Sequence, residues 1–175
     1  VAVLAGAGSA VAQPDSHTLT VVMIGRDGAP ATDNNLFLAN YDDATTKRLN
    51  EPSGTVQVQL PRGDYFVQSA VHTGERRDRL TRPWLHLTGD TTVVFDARTT
   101  TPVDVTVERA DARLVSGIVS ASVLTGKGPV AVPYVGFADF DDVGTAQVGP
   151  DAPADRYVGS AQFTLASPSA GGAAT

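Results

Sequence analysis

The stretch from Ser53 to Val67, S-G-T-V-Q-V-Q-L-P-R-G-D-Y-F-V, decides the fold class. From Val56 to Leu60 apolar residues alternate with glutamines, and a period of two places the apolar side chains on one face of a strand. Proline presets φ for a turn and glycine permits positive φ, so Pro61-Arg62-Gly63 is expected to form a hairpin turn. A second strand of the same pattern then begins at Tyr65.

Comparable short patterns recur along the chain and are separated by turn signals. They predict further strands at 18–23, 36–40, 91–95, 101–108, 114–124, 130–140 and 157–165. No helical period of useful length occurs before residue 109. Many short strands joined by turns predict an all-β protein. The expected fold is an antiparallel β-sandwich, transthyretin-like or immunoglobulin-like, followed by a partial second β domain.

Four parts are predicted along the chain, because the character of the sequence changes near Ala110. Residues 1–15 are a signal-peptide-like or linker segment, 16–109 the β-sandwich domain, 110–166 an additional or truncated β domain, and 167–175 a disordered tail. Val1 to Ala12 is small and apolar and ends in Ala10-Val11-Ala12, which resembles the end of a secretory signal peptide. A linker from a preceding domain is the alternative. The signal interpretation predicts a secreted protein, with no membrane span in the mature chain.

Composition and charge exclude several classes of function. Hydrophobic residues make up 42% of the 175 residues, enough for a core, and the absence of cysteine excludes disulfides and thiolate metal sites. The net charge of −6 argues against nucleic-acid binding, because acidic proteins repel phosphate backbones. One basic cluster occurs, Glu75-Arg76-Arg77-Asp78-Arg79, and its interrupting carboxylates predict a solvated loop.

No motif for catalysis is present. The chain has three histidines, His17, His72 and His86, but no Gly-x-Ser-x-Gly element to supply a nucleophile. His86 lies between Leu85 and Leu87, so on a strand it is expected on the solvent face. The sequence therefore predicts no catalytic residue and no enzyme.

Two weaker candidates for ligand binding remain. Asp139, Asp141 and Asp142 supply clustered carboxylates, the ligands that calcium prefers, but they do not match an EF-hand, and a solvated acidic loop is the favoured interpretation. Trp84, together with Arg82, Pro83 and Tyr65, is a candidate aromatic platform for sugar, and a core or edge filler is the alternative. Apart from possible calcium, no cofactor is predicted.

Several of these segments together resemble a known fold family. The chain begins with a strand at His17–Val21 and a D-G-x-P turn within Arg26–Pro30. A further strand follows, and then the pattern G-x-V-x-V-x-L-P-x-G-x-Y at Gly54–Tyr65. This order resembles transthyretin-like or carboxypeptidase-regulatory-like β-sandwiches.

A second resemblance is narrower. Residues 88–109, T-G-D-T-T-V-V-F-D-A-R-T-T-T-P-V-D-V-T-V-E-R, are similar to the non-catalytic β region after the peptidase domain in large secreted subtilisin-like serine peptidases of actinobacteria. Thr145–Pro150 and Pro153–Tyr157 are similar to the next stretch of those proteins. No catalytic residue of that family maps onto this chain, because the triad motifs are absent.

This resemblance implies a non-catalytic accessory region that braces a catalytic domain or assists contact with its substrate. The implied partner is a linked or associated peptidase domain. The alternative is a free-standing secreted or cell-surface module that binds glycan or protein. Fold analogy alone does not choose between them.

Overall fold

The computed structural model describes residues 15–167, and almost all of its regular structure is strand. The twelve strands are β1 (Ser16–Ile24), β2 (Asp33–Asn40), β3 (Thr46–Leu49), β4 (Thr55–Pro61), β5 (Gly63–Thr73), β6 (Arg76–Leu87), β7 (Thr91–Asp96), β8 (Thr101–Pro102), β9 (Arg113–Thr125), β10 (Gly128–Phe137), β11 (Val143–Gln147) and β12 (Tyr157–Ala166). Two 3-10 helices of one turn, Ala97–Thr99 and Phe140–Asp142, interrupt them.

The strands form three sheets stacked in layers. The front sheet has the order β4-β1-β7, the middle sheet β3-β2-β5-β6-β11-β8, and the back sheet β10-β9-β12. Most neighbours are antiparallel, whereas β7 runs parallel to β1 and β11 runs parallel to β6. The predicted all-β, sandwich-like fold is confirmed.

The first core fills the space between the front and middle sheets. Leu19, Val21 and Met23 of β1 alternate with less buried residues and are fully buried, as a half-buried strand requires. They meet side chains of the middle sheet that include Leu36 and Leu80. Each buried aliphatic side chain contributes about 1.5–3 kcal/mol relative to exposure, so this core holds the two sheets together.

A second core lies on the opposite face of the middle sheet. In β2, Leu36 and Leu38 belong to the first core, while Phe37 and Ala39 belong to the second. Phe66 of β5 joins them, and the back sheet contributes Ala121, Val123 and Val132. The middle sheet is therefore covered on both faces, which explains why β2 and β5 are buried almost continuously rather than at every second residue.

The predicted hairpin at Pro61-Arg62-Gly63 is wrong. β4 pairs with β1 in the front sheet, whereas β5 pairs with β2 and β6 in the middle sheet. The segment carries the chain from one layer to the other, and Tyr65 Oη donates to the Pro61 carbonyl at 2.8 Å across it. The apolar faces of β4 and β5 meet across the first core. The alternation therefore predicted each strand but not the strands with which it pairs.

The strand predicted from Thr101 to Glu108 is wrong over most of its length. Only Thr101–Pro102 is a strand, and the chain beyond it is irregular up to β9. Val103 N donates to the Val143 carbonyl at 3.0 Å, but Val107 is 40% exposed. An alternating pattern needs a sheet face to cover its apolar side, and among residues 15–167 no layer fully buries Val103, Val105 or Val107.

Residues 110–166 contribute to two sheets. β9, β10 and β12 make the back sheet, and β11 returns to the middle sheet between β6 and β8. The division of the chain into separate domains stays a prediction. The predicted signal-like segment falls on residues 1–15 and the predicted tail on 167–175, which lie outside the described residues except for Asp15 and Ser167. Within residues 15–167, no helix has the length and apolar character needed to cross a membrane.

Candidate functional site

The charged cluster at residues 75–79 is not the solvated loop that its composition predicts. Arg76 to Arg79 lie within β6, and Asp78 and Arg79 are only 1% and 3% exposed. Adjacent residues of a strand point to opposite faces, and both faces of the middle sheet are covered. Asp78 and Arg79 therefore lie in two different buried environments, whereas Glu75 and Arg77 are exposed.

On the front face, Asp78 is the centre of a polar network. Its carboxylate accepts hydrogen bonds from Arg26 Nε at 2.8 Å and Arg26 Nη2 at 2.9 Å, and from the Thr100 hydroxyl at 2.6 Å. Gly144 of β11 packs on this network, where a Cβ atom would collide with Asp78 and Thr100. Arg76 Nε also lies 3.5 Å from Asp78 Oδ1, so the network joins three chain segments, which indicates a structural role.

On the back face, Arg79 is less well satisfied. Its Nη1 donates to the Val119 carbonyl of β9 at 2.5 Å, while Nε and Nη2 are buried and have no hydrogen-bond partner within residues 15–167. Burial lowers the pKa of Arg79 to about 10. An unpaired buried cation is costly, so its position requires an explanation.

Arg79 lines a groove between the middle and back sheets with a volume of about 840 Å³. The middle sheet supplies a polar side with Arg79, Thr81, Thr145 and Gln147. The back sheet supplies a more apolar side with Val119, Ala121, Ala161 and Phe163. Burial raises the pKa of Tyr157, which also lines the groove, and the nearby charge of Arg79 opposes that shift.

Sequence reasoning missed Arg79 because it assigned the whole charged run to solvent. Leu85 and Leu87 alternate with His86, but this period of two does not reach back to Leu80, because the pairing register of β6 shifts between Arg82 and Leu85. No local pattern therefore predicts a strand through the cluster.

The histidines do not form a catalytic triad. His86 is exposed, as predicted, and its Nδ1 lies 2.7 Å from Asp64 Oδ1, while His72 Nδ1 lies 3.2 Å from Asp33 Oδ2. Within residues 15–167, no serine or threonine hydroxyl is hydrogen-bonded to either histidine. Both are contacts between a histidine and a carboxylate near the surface, and exposed pairs of this kind contribute little to stability.

The calcium candidates Asp139, Asp141 and Asp142 surround a 3-10 turn. Asp139 Oδ1 accepts a hydrogen bond from Asp141 N at 3.0 Å and so caps the turn. Between residues 15 and 167, no group of three or more histidine, aspartate or glutamate side chains is placed to hold a metal ion. Calcium binding here stays a prediction.

Trp84 is half-buried and packs on the second core, with its ring centroid 4.6 Å from that of Tyr41. Tyr65 is buried in the first core, on the opposite face of the middle sheet. Arg82 Nε donates to the Trp84 carbonyl at 3.1 Å. The structure therefore does not bring Tyr65 to Trp84 in one sugar platform, and glycan binding at Trp84 stays a prediction.

Tyr41 beside Trp84 leads to a prediction on pH dependence. Its hydroxyl donates to the Pro83 carbonyl at 2.7 Å, and burial raises its pKa well above the usual value. Above about pH 10 the unfolded chain loses this proton while the native protein keeps it. We expect the free energy of unfolding to fall as pH rises above 10, and Tyr41→Phe to reduce that slope by up to about 1.4 kcal/mol per pH unit.

The measurement is urea unfolding between pH 8 and 11. Tyr134→Phe is the control, because Tyr134 is 69% exposed and the change removes the same hydroxyl group from the surface instead of the core. The lowered pKa of Arg79 makes the free energy of unfolding rise with pH, which opposes the effect of Tyr41. This contribution is present in the parent chain and in both variants, so it does not affect the comparison of their slopes. Equal slopes for Tyr41→Phe and the parent chain would contradict the buried phenol.

Comparison with known proteins identifies no family for this chain. No protein-family model and no curated protein matches the chain. It is similar to two crystal structures of DUF3823 family proteins, from Parabacteroides merdae (14% identity, TM-score 0.33, 86% of this chain and 82% of that one) and Bacteroides ovatus (14%, 0.34, 89% and 83%). Similarity at this level assigns neither a family nor a function to the chain.

Proposed function

We propose that the chain is a non-catalytic accessory β-sandwich region of, or related to, a secreted subtilisin-like serine peptidase. It would brace the catalytic domain or help to contact substrate. The resemblance of residues 88–109, 145–150 and 153–157 to such regions supports the peptidase link. The groove between the middle and back sheets is the structural observation that carries the contact role.

The groove has the dimensions of a binding site. Its volume of about 840 Å³ lies within the range of about 300–1,000 Å³ typical of ligand pockets. Its two walls belong to different sheets joined by the second core, so strands position most of the lining side chains, with Thr99, Val103 and Asp104 as exceptions. A rigid frame of this kind holds a bound segment in one place, as substrate presentation requires.

The second candidate is a free-standing secreted or cell-surface module that binds glycan or protein. The same groove favours it, because a binding site between two sheets works without any linked peptidase. Under this hypothesis the chain itself is the receptor, and its ligand comes from outside the protein.

The gene sequence and a peptidase assay separate the two candidates. We expect the reading frame around residues 1–175 to encode a subtilisin-type domain with its Asp, His and Ser motifs. We also expect the isolated chain to leave casein intact, and the whole protein to lose activity or thermal stability when residues 16–166 are deleted. A frame without a peptidase domain would reject the accessory role and leave the free-standing module, whereas casein hydrolysis by the isolated chain would reject both.

A further inference from the structure

The groove lies where the back sheet ends before the middle sheet does. The second core covers β2, β5 and β6, whereas within residues 15–167 no residue of β8 or β11 belongs to it. Thr145 and Gln147 of β11 share the back face with Arg79 and Thr81, with which they pair, and they line the groove. The back sheet is therefore too narrow, by at least one strand, to cover the middle sheet.

A second side of the groove is the open edge of β12. Tyr157, Gly159 and Ala161 point from this strand toward the middle sheet, because alternate residues share one face and Tyr157 packs on the second core. Gly159 and Ala161 are nevertheless exposed, and they line the groove. Within the described chain no strand pairs with the outer side of β12. The space beside β12 and above β11 is therefore the place of a fourth strand in the back sheet.

β12 also lacks the features by which edge strands avoid pairing. Its ten residues, Tyr157–Ala166, include neither a proline nor a charged residue. Each of the other five edge strands in the described sheets has one: Lys47 in β3, Pro61 in β4, Asp96 in β7, Pro102 in β8 and Pro133 in β10. Proline and charge protect edges against pairing, so the β12 edge is the one left open to an extended chain.

A second copy of the chain does not fit this edge. In a symmetric dimer the β12 strands of the two copies would pair side by side, and their middle sheets would lie side by side beneath them. β11 and β8 extend the middle sheet past the second core by two strand spacings of about 4.8 Å each, so the two middle sheets would collide first. The groove therefore accepts a single extended segment rather than another sheet.

The accessible groups of the groove indicate the chemistry of that segment. Of the two charged residues that line it, Arg79 is 3% exposed and its unpartnered nitrogen atoms are buried, whereas Asp104 is exposed. A ligand therefore meets one negative charge on a chain of net charge −6, which favours a cationic partner. Thr145 and Gln147 can form hydrogen bonds with hydroxyl or amide side chains.

We infer that this groove binds one extended peptide segment, which pairs with β12 as a fourth strand of the back sheet, points hydroxyl or amide side chains at β11 and carries a lysine or arginine near Asp104. This binding mode deepens the contact role of the proposed function and rests on it for the source of the segment, which is unfolded substrate of the linked peptidase. Pairing itself requires only the chain. A reading frame without a peptidase domain would therefore reject the proposed function and leave this binding mode intact.

The test uses the full chain and fluorescent heptapeptides that are blocked at both ends. They carry lysine at either end, and valine alternates with threonine, serine, asparagine or glutamine between the ends. We expect at least one peptide to bind in fluorescence anisotropy. Two analogues of it carry N-methyl groups on alternate amides, one set for each edge of the strand, and only one analogue should bind at least about tenfold more weakly, because only one edge donates hydrogen bonds to β12. This comparison does not depend on the folding of a mutant.

Variants of the chain test the position of the segment. Ala161→Tyr should weaken binding at least about tenfold, because the larger side chain fills the space beside β12. Gln162→Tyr is the matched control, since Gln162 is exposed on the opposite face of β12 and does not line the groove. Asp104→Asn should weaken binding about two- to fivefold, the effect of one exposed ion pair, whereas Asp155→Asn changes the net charge equally outside the groove. Melting temperatures of the variants confirm folding.

Several results would overturn the inference. They are no binding by any peptide, equal loss of binding with both N-methylated analogues, and equal binding by the Ala161→Tyr and Gln162→Tyr variants. Tighter binding of peptides with glutamate in place of lysine, or unchanged binding by Asp104→Asn, would overturn the cationic assignment. Dimerisation of the chain that Ala161→Tyr abolishes and Gln162→Tyr does not would assign the edge to a second copy instead.

Discussion

Phe66→Ala should lower the free energy of unfolding by about 3–5 kcal/mol, the usual cost of a large cavity in a core. Phe66 is fully buried at the centre of the second core. Its ring meets Phe37 edge-on at 6.3 Å and stacks on Tyr157 of the back sheet at 5.5 Å. Its loss therefore removes contacts within the middle sheet and contacts that hold the back sheet in place.

Urea unfolding followed by tryptophan fluorescence measures this effect. Trp84 is the only tryptophan of the chain and packs on the same cluster, so it reports the second core directly. Val158→Ala is the control, since Val158 lies on β12 but is 52% exposed, and we expect only a small change. If Phe66→Ala were no more costly than Val158→Ala, the back sheet would not pack on the middle sheet as described.

Asp78→Ala should lower the free energy of unfolding by about 3 kcal/mol, at the lower end of the cost of breaking a buried ion pair. Removal of the carboxylate leaves Arg26 Nε without its acceptor and Arg76 Nε without its ion-pair partner, whereas the Thr100 hydroxyl keeps the Ala97 carbonyl as an acceptor at 2.9 Å. The side chain of Arg26 is 29% exposed, so water solvates it partly and keeps the cost from rising further. The network joins the end of β1 to β6, and its loss should loosen both.

Asp111→Ala is the matched control for this change. Arg109 Nε and Asp111 Oδ1 lie 2.8 Å apart, as close as the Arg26–Asp78 pair, but both side chains are largely exposed. Exposed pairs are screened by solvent, so we expect the midpoint of urea unfolding to stay almost unchanged. A shift for Asp78→Ala as small as that for Asp111→Ala would show that burial of the Asp78 network contributes nothing.

The alternating sequence patterns predicted where strands form better than they predicted which strands pair with each other. The pattern around Val56 and Tyr65 correctly predicted β4 and β5, because side-chain alternation is a local property of extended chain. Which strands pair is decided by which apolar faces meet, and those two strands meet across a core. The pattern from Thr101 to Glu108 failed for a related reason, since no layer within residues 15–167 fully buries its valine side chains.

The candidate site depends on packing that no local pattern contains. Asp78 and Arg79 are neighbours in a charged run, and composition alone predicts exposure for both. Asp78 is buried on the front face against Arg26 and Thr100, whereas Arg79 is buried on the back face against Val119 of β9. Thr145 and Phe163 line opposite sides of the groove and lie on strands more than sixty residues after Arg79. Only the assembled sheets bring these side chains to Arg79.

The parallel pairing of β11 with β6 has a consequence for shorter versions of this protein. β11 covers the Arg77–Thr81 part of β6, although it follows more than sixty residues later in the sequence. A fragment that stops near residue 110 would contain every strand of the front sheet but would leave the backbone amides and carbonyls of this part of β6 unpaired. Open strands of this kind recruit copies of themselves, so such a fragment should aggregate, and the natural unit for expression extends through residue 166.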